Sequence, residues 1–161
     1  MLIGIVGSEQ AKFTPETEAH ARRIILDLLL RDDCTGVVSG GCHLGGVDIF
    51  AQEEANAINQ AAAMFYGDEE DWLRILIHTP RQRSWAAGYK PRNLLIAQDA
   101  DEIHCITVAK LPDEYSGMKF PLCYHCSSSM AGVYVPHIKS GGCWTMHKAR
   151  ALGKPGYLHV V

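Results

Sequence analysis

Short apolar runs alternate along this chain with stretches in which apolar residues recur at helical spacing. Leu2-Ile3-Gly4-Ile5-Val6 predicts a buried strand that stops at Gly7-Ser8. Thr14-Pro15-Glu16 reads as a helix start: a hydroxyl at the N-cap, proline at the first helical position, then an acid. Ile24, Ile25, Leu28 and Leu29 share one face of that helix, which should fade near Asp32-Asp33. Gly36 to Ser39 predicts a second strand. Val47 to about Ala63 predicts a second helix, alanine-rich and so able to lie close to a sheet. Phe65 to Asp71 reads as a polar connection, Leu73 to His78 as a third strand ended by Pro80, and Arg81 to Gly88 as a basic, aromatic loop. Pro91 to Gln98 predicts a third helix and Glu102 to Ile106 a fourth strand. The rhythm breaks from Lys110 to His137 and resumes with a glycine turn and helix over Ile138 to Leu152. Tyr157 to Val161 closes as a strand.

Strands alternating with helices predict an α/β layered fold with a mostly parallel sheet and right-handed crossovers. In such sheets ligands bind beyond the carboxyl ends of the strands. The loops after Val6, Val38, His78 and Ile106 all belong to that edge.

Length and composition change this picture little. The chain has 161 residues, enough for one domain with a full core, and is 47% hydrophobic and 20% charged. No run approaches a membrane span, so no membrane partner is expected. The net charge of -3 disfavours a protein built to wrap nucleic acid. A strand begins at Leu2, so no signal peptide is expected ahead of it, and the expected location is the cytoplasm. In that compartment the six cysteines read as reduced thiols or metal ligands rather than disulfides.

The most informative loop is Ser39-Gly40-Gly41-Cys42-His43-Leu44-Gly45-Gly46-Val47-Asp48, set between a strand and a helix. Glycines there let the backbone approach a ligand, and the helix start offers N–H groups and positive potential to an anion. Three other segments converge on the same edge. Gly7-Ser8 follows the first strand, Arg92-Asn93 opens the third helix, and Ser140-Gly141-Gly142 with Thr145 opens the last one. Asp48 could hold a ribose hydroxyl or cap its own helix. Each glycine turn could instead serve chain geometry alone, but two of them beside an Arg-Asn pair favour a ligand site. Neither turn has the spacing of a P-loop or of Gly-x-Gly-x-x-Gly.

Gly7-Ser8, Ser39-Gly40-Gly41…Gly45-Gly46-Val47-Asp48, Arg92-Asn93, Ala100-Asp101-Glu102-Ile103 and Ser140-Gly141-Gly142-x-x-Thr145 occur in an order that resembles the SLOG superfamily. These are Rossmann-like domains related to DNA-processing protein A and to the LOG phosphoribohydrolases. The resemblance spans the chain except Lys110 to His137. It implies a Rossmann-like three-layer fold, a single SLOG-like domain over 1–161 with an insertion at 110–137, and a nucleotide-derived small molecule as partner. It also makes a homodimer an expectation. LOG enzymes carry Pro-Gly-Gly-x-Gly-Thr-x-x-Glu; here Ser140 stands at the proline, Trp144 at the third glycine and Lys148 at the glutamate. A lysine cannot activate water or stabilise positive charge as a carboxylate does, so LOG-type hydrolysis is not expected from that position.

The insertion carries its own chemistry. Cys123-x-x-Cys126, followed by His137 and Cys143, can make a tetrahedral zinc site, with His125 as an alternative to His137. Four protein ligands leave no open position, so the expected zinc is structural. The alternative is three reduced cysteines beside an unrelated histidine. Cys105 and Cys34 read as core residues. Cys42-His43 could form a nucleophile pair, although adjacent residues in a turn rarely orient correctly. His20, His78, His104 and His159 form no constellation along the chain.

The function expected is binding of a nucleotide or nucleotide-derived ligand through two glycine-rich anion-binding turns, as a sensor. The alternatives are a nucleotide N-glycosidase, prompted by the LOG likeness, and single-stranded nucleic-acid binding, prompted by DNA-processing protein A and the Arg81-Gln82-Arg83-Ser84-Trp85 stretch.

Overall fold

The computed structural model describes residues 1–67, 72–120, 122–127 and 135–161. The connection expected over 65–71 and the irregular stretch 110–137 therefore lie partly outside the described residues. Strands form at Leu2–Gly7 (β1), Gly36–Gly40 (β2), Arg74–His78 (β3), Glu102–Thr107 (β4) and Gly156–Val160 (β5). Helices form at Pro15–Leu29 (α1), Val47–Tyr66 (α2), Lys90–Asp99 (α3), Tyr124–Ser127 (α4) and Gly141–Ala151 (α5). The sheet has the order β3-β2-β1-β4-β5 and every pairing is parallel, where a mostly parallel sheet was expected.

Local chemistry explains the helix starts. Thr14 Oγ1 accepts the Thr17 N–H at 3.3 Å, and Thr17 Oγ1 accepts the Thr14 N–H at 2.9 Å, a reciprocal cap just ahead of Pro15. Gly46 opens α2 at φ +84°, and a Cβ there would lie 2.2 Å from the Ser8 carbonyl oxygen, so only glycine fits. The second helix runs on past Ala63, and Gly67 at φ +85° caps it after Phe65 and Tyr66.

Side chains alternate across the sheet. Ile3, Ile5, Val37 and Ile106 join Ile25, Leu29 and Phe50 of α1 and α2 on one face. Val6, Val38, Ile103 and Cys105 join Ile96 and Met146 of α3 and α5 on the other. With both faces covered, the inner strands are buried along almost their whole length, β1 as an apolar run and β4 with Glu102, His104 and Thr107 among its buried residues. The result is a Rossmann-like three-layer α/β fold. Among the described residues no helix is long and apolar enough to cross a membrane. The chain runs from β1 out to β3, then returns to place β4 on the other side of β1, so a crevice opens beyond the carboxyl ends of β1 and β4.

One constellation escaped the sequence. His104 Nε2 lies 3.0 Å from Glu102 Oε1, which also binds Arg31, and His104 Nδ1 lies 2.8 Å from His159 Nε2. Because Glu102 accepts, His104 donates through Nε2, and His159 then donates through its own Nε2 to His104 Nδ1. Burial, then the neighbouring His104, push His159 down to about 4, and burial also lowers His104. A histidine with a depressed folded pKa contributes stability that is fully present above its unfolded value of ~6.5 and lost as pH falls towards 4. Allowing for solvent screening, the loss should be about 2 kcal/mol. Urea titrations between pH 7 and 4 should show it, and His159→Asn should flatten that slope.

Candidate functional site

The crevice holds a cavity of about 200 Å³. Gly7, Ser8, Gly45, Asp48, Arg92, Asn93, Ser140, Gly141 and Gly142 line it, so the segments read from the sequence do meet. Ser39, Gly40, Gly41, Gly46 and Thr145 stand behind the wall. Ser39 Oγ donates to the Asp48 carbonyl oxygen at 2.9 Å, and Thr145 Oγ1 donates to the Gly141 carbonyl oxygen at 3.2 Å. A Cβ on Gly40 would fall 1.1 Å from Arg92 Nη1, so its missing side chain is the space the guanidinium occupies. Gly41 lies against Thr79 and Gly46 against Ser8. Val6, Glu9, Lys12, Cys42, Leu44, Trp85 and Tyr89 complete the wall.

The electrostatic centre is an ion pair. Arg92 Nη1 donates to Asp48 Oδ2 at 2.7 Å, with Arg92 6% and Asp48 7% exposed. Asp48 therefore does not cap its own helix. Burial pushes its carboxyl up, and the Arg92 charge pulls it partly back. Arg92 Nε is buried and has no partner among the described residues. An unmet buried guanidinium N–H is a cost to the fold, held here by the Asp48 pairing of the same side chain. Lys12 is the second cation: its Nζ donates to the Lys139 carbonyl oxygen at 3.2 Å and lies 3.8 Å from Glu9, and burial pulls its pKa down. The Tyr115 hydroxyl donates to Glu9 at 2.8 Å, tying the insertion to the cavity.

Hydroxyls and amides hold the walls together. Thr107 Oγ1 donates to the Ile138 carbonyl oxygen at 2.7 Å and, its proton thus engaged, accepts from Ser8 Oγ at 2.9 Å. Asn93 Nδ2 donates to the Gly141 carbonyl oxygen at 3.4 Å and so joins α3 to the start of α5. Ser140 Oγ accepts the Cys143 N–H at 3.3 Å and caps α5. The starts of α2 and α5 both open on the cavity with their positive ends, although at α2 the Val47 N–H is already taken by the Ser8 carbonyl and the Ile49 N–H by that of Gly46.

The expected loop over Arg81 to Gly88 is partly helical. Trp85–Tyr89 form one wide π-helical turn leading into α3, with the Lys90 N–H donating to the Trp85 carbonyl oxygen. Ser84 Oγ accepts the Ala87 N–H at 3.4 Å. The turn sets Trp85 and Tyr89 together on the cavity wall. The Tyr89 hydroxyl lies 2.9 Å from His43 Nδ1, so the His43 ring engages Tyr89. Burial pushes the Cys42 thiol up. The Cys42-His43 pair therefore lacks the activated thiolate of a nucleophile.

Beside the cavity lies a buried cluster of Cys123, Cys126, His137 and Cys143, whose ligand atoms are all within 4.8 Å of one another and could hold a metal ion. Tetrahedral bonds of ~2.3 Å to sulfur and ~2.0 Å to nitrogen set such atoms ~3.6 Å apart. Cys143 Sγ and His137 Nε2 are 3.6 Å apart. His137 Nδ1 donates to the Val135 carbonyl oxygen at 2.7 Å, which fixes the tautomer that aims Nε2 at the thiols. The facing Cys105, Cys123 and Cys126 hold Cys143 well below the thiol range, in the form a metal needs. Cys105 Sγ is 3.8 Å from Cys143 Sγ but lies outside the four-residue set. His147 Nε2, 3.3 Å from Cys126 Sγ, is an outer partner that nothing along the sequence marks. Cys34 is half-buried against the α1 side of the core.

Fold and site together define a three-layer α/β protein with a cleft at its topological switch point and a Cys3His cluster beside it. Against protein-family models, curated proteins and solved structures, the chain finds no match.

Proposed function

We propose that this chain binds a nucleotide or nucleotide-derived ligand, with phosphate seated between the start of α5, Gly7-Ser8 and the Gly45 turn. The observation that carries this reading is the buried Arg92 guanidinium. One of its nitrogens holds Asp48, and the residue lines a cavity flanked by two helix starts, so its positive charge stands beside the space an anion would fill. A phosphate is the anion that a guanidinium and helix N-termini together favour. The resemblance of the glycine turns to SLOG domains supports the same reading. Calorimetry with AMP, ADP-ribose and inorganic phosphate tests it. Heat of binding from the phosphorylated compounds, and little from adenosine, is the expected result; silence from every phosphorylated compound overturns it.

A second reading, hydrolysis of a nucleotide's glycosidic bond, rests on the carboxylates of Asp48 and Glu9 on the cavity wall. Lys148 has no part in it, being exposed with its ammonium 5.4 Å from the Trp144 ring. Release of free base from nucleoside monophosphates decides between binding alone and catalysis.

The Cys3His cluster, in this proposal, holds one structural zinc ion. Three thiolates and one imidazole fill its tetrahedral shell and leave no place for water. All six cysteines are free, which suits a reducing compartment, and the cytoplasm is the proposed location.

A further inference from the structure

A second cavity, of about 320 Å³, lies against the first. Trp85 and Gly141 wall both. Its other walls include Trp144, Tyr124, Lys90 and Lys139. We infer that this second cavity is the seat of a heteroaromatic base, so that the ligand is an intact nucleotide rather than a sugar phosphate. The inference rests on the phosphate reading of the first cavity and extends it.

Size is the first argument. Clefts that hold small molecules usually enclose ~300–1,000 Å³. The first cavity is smaller than that, while the two taken together fall within the range. A ligand anchored by phosphate at Arg92 and the α5 start can extend past Gly141 and Trp85, the two residues that both spaces share.

Wall chemistry is the second. The Trp85 and Trp144 rings meet edge to face at 5.5 Å and 87°, so they present flat surfaces at right angles. Trp85 is 44% exposed, an indole held open at the junction. Lys139 Nζ stands 4.1 Å from the Phe120 ring centroid and 4.5 Å from that of Tyr124. Lys90, at the first position of α3, adds a second ammonium. Flat rings stack on a base of any sequence, and ammonium groups at the margin meet the nitrogen and oxygen acceptors on its edge. An aliphatic ligand would use the rings but not the cations, and a bare anion the cations but not the rings.

Position is the third. Tyr124 and His125 sit between Cys123 and Cys126, so the metal cluster fixes one wall of this cavity as well as the start of α5 in the other. The insertion thereby acquires a role in recognition.

Calorimetry with AMP against ribose 5-phosphate tests the inference. AMP should bind the unaltered chain about tenfold or more tightly than ribose 5-phosphate, the usual worth of one stacked base. Trp144→Ala should bring that ratio towards one. Tryptophan fluorescence of the unaltered chain gives a readout that needs no variant. Two of its three tryptophans wall this cavity, and Trp144 walls it alone, so AMP should quench emission more strongly than ribose 5-phosphate, which can reach only Trp85. Equal affinities for the two compounds, or equal quenching, would overturn the base seat while leaving the phosphate site standing. Absence of binding by both would overturn the phosphate reading and this inference with it.

Discussion

Arg92→Ala is expected to lower stability by about 3–5 kcal/mol and to abolish phosphate binding. The stability loss arises because Asp48, 7% exposed, would keep a buried carboxylate with its cation gone. For a domain of this size that is ~10 °C in Tm. Removing both charges, with Asp48→Leu and Arg92→Met, should recover most of the stability, since an apolar pair of similar volume suits a buried position as well as an ion pair does. Phosphate binding should stay lost in the double variant. Denaturant titration and calorimetry on the same three proteins separate the two effects. If the double variant still bound phosphate, the guanidinium would have no part in the site.

Much of the fold that frames this pair is legible in the sequence. The apolar runs at Leu2, Gly36 and Glu102 mark β1, β2 and β4 because both faces of an inner parallel strand are buried. Thr14-Pro15 marks α1 because capping is local chemistry. The convergence of Gly7-Ser8, Asp48, Arg92 and Ser140-Gly141-Gly142 follows from topology, since every β-to-α turn of a parallel sheet falls at one edge. What stays hidden is pairing at a distance. Nothing in the order of residues says that Asp48 meets Arg92, or that Gly40 is vacant to admit a guanidinium. The Glu102–His104–His159 chain is hidden for the same reason, because its members belong to two strands joined only in the sheet. The wide turn at Trp85–Tyr89 is hidden because its basic, polar flanks look like any surface loop. Ser84, whose hydroxyl caps it, is the one local sign.

Removal of the metal should produce the second large effect. One zinc ion per chain is expected by elemental analysis, and a strong chelator should lower stability by about 3 kcal/mol, again ~10 °C in Tm. The sheet has its own two apolar cores, so the insertion and the start of α5 should loosen first. Because Gly141 and Gly142 immediately precede Cys143 and line the cavity, chelation should also weaken phosphate binding by tenfold or more. Cys143→Ala should reproduce both losses. Cys105→Ala, which alters a neighbouring thiol outside the ligand set, should retain the zinc. A chelated protein with undiminished Tm would remove the metal from the account of this fold.

The placement of β1 at the centre of the sheet has a kinetic consequence. β1, β2 and β3 pair with near neighbours in the chain, and α1 and α2 cover one face of that half. Residue Ile3 must then wait for Glu102 before its other edge is satisfied. Closing so long a loop is entropically slow. Refolding should therefore be paced by the docking of β4 onto β1, the same event that creates the crevice. The crevice proposed to hold the ligand would be among the last features of the molecule to exist.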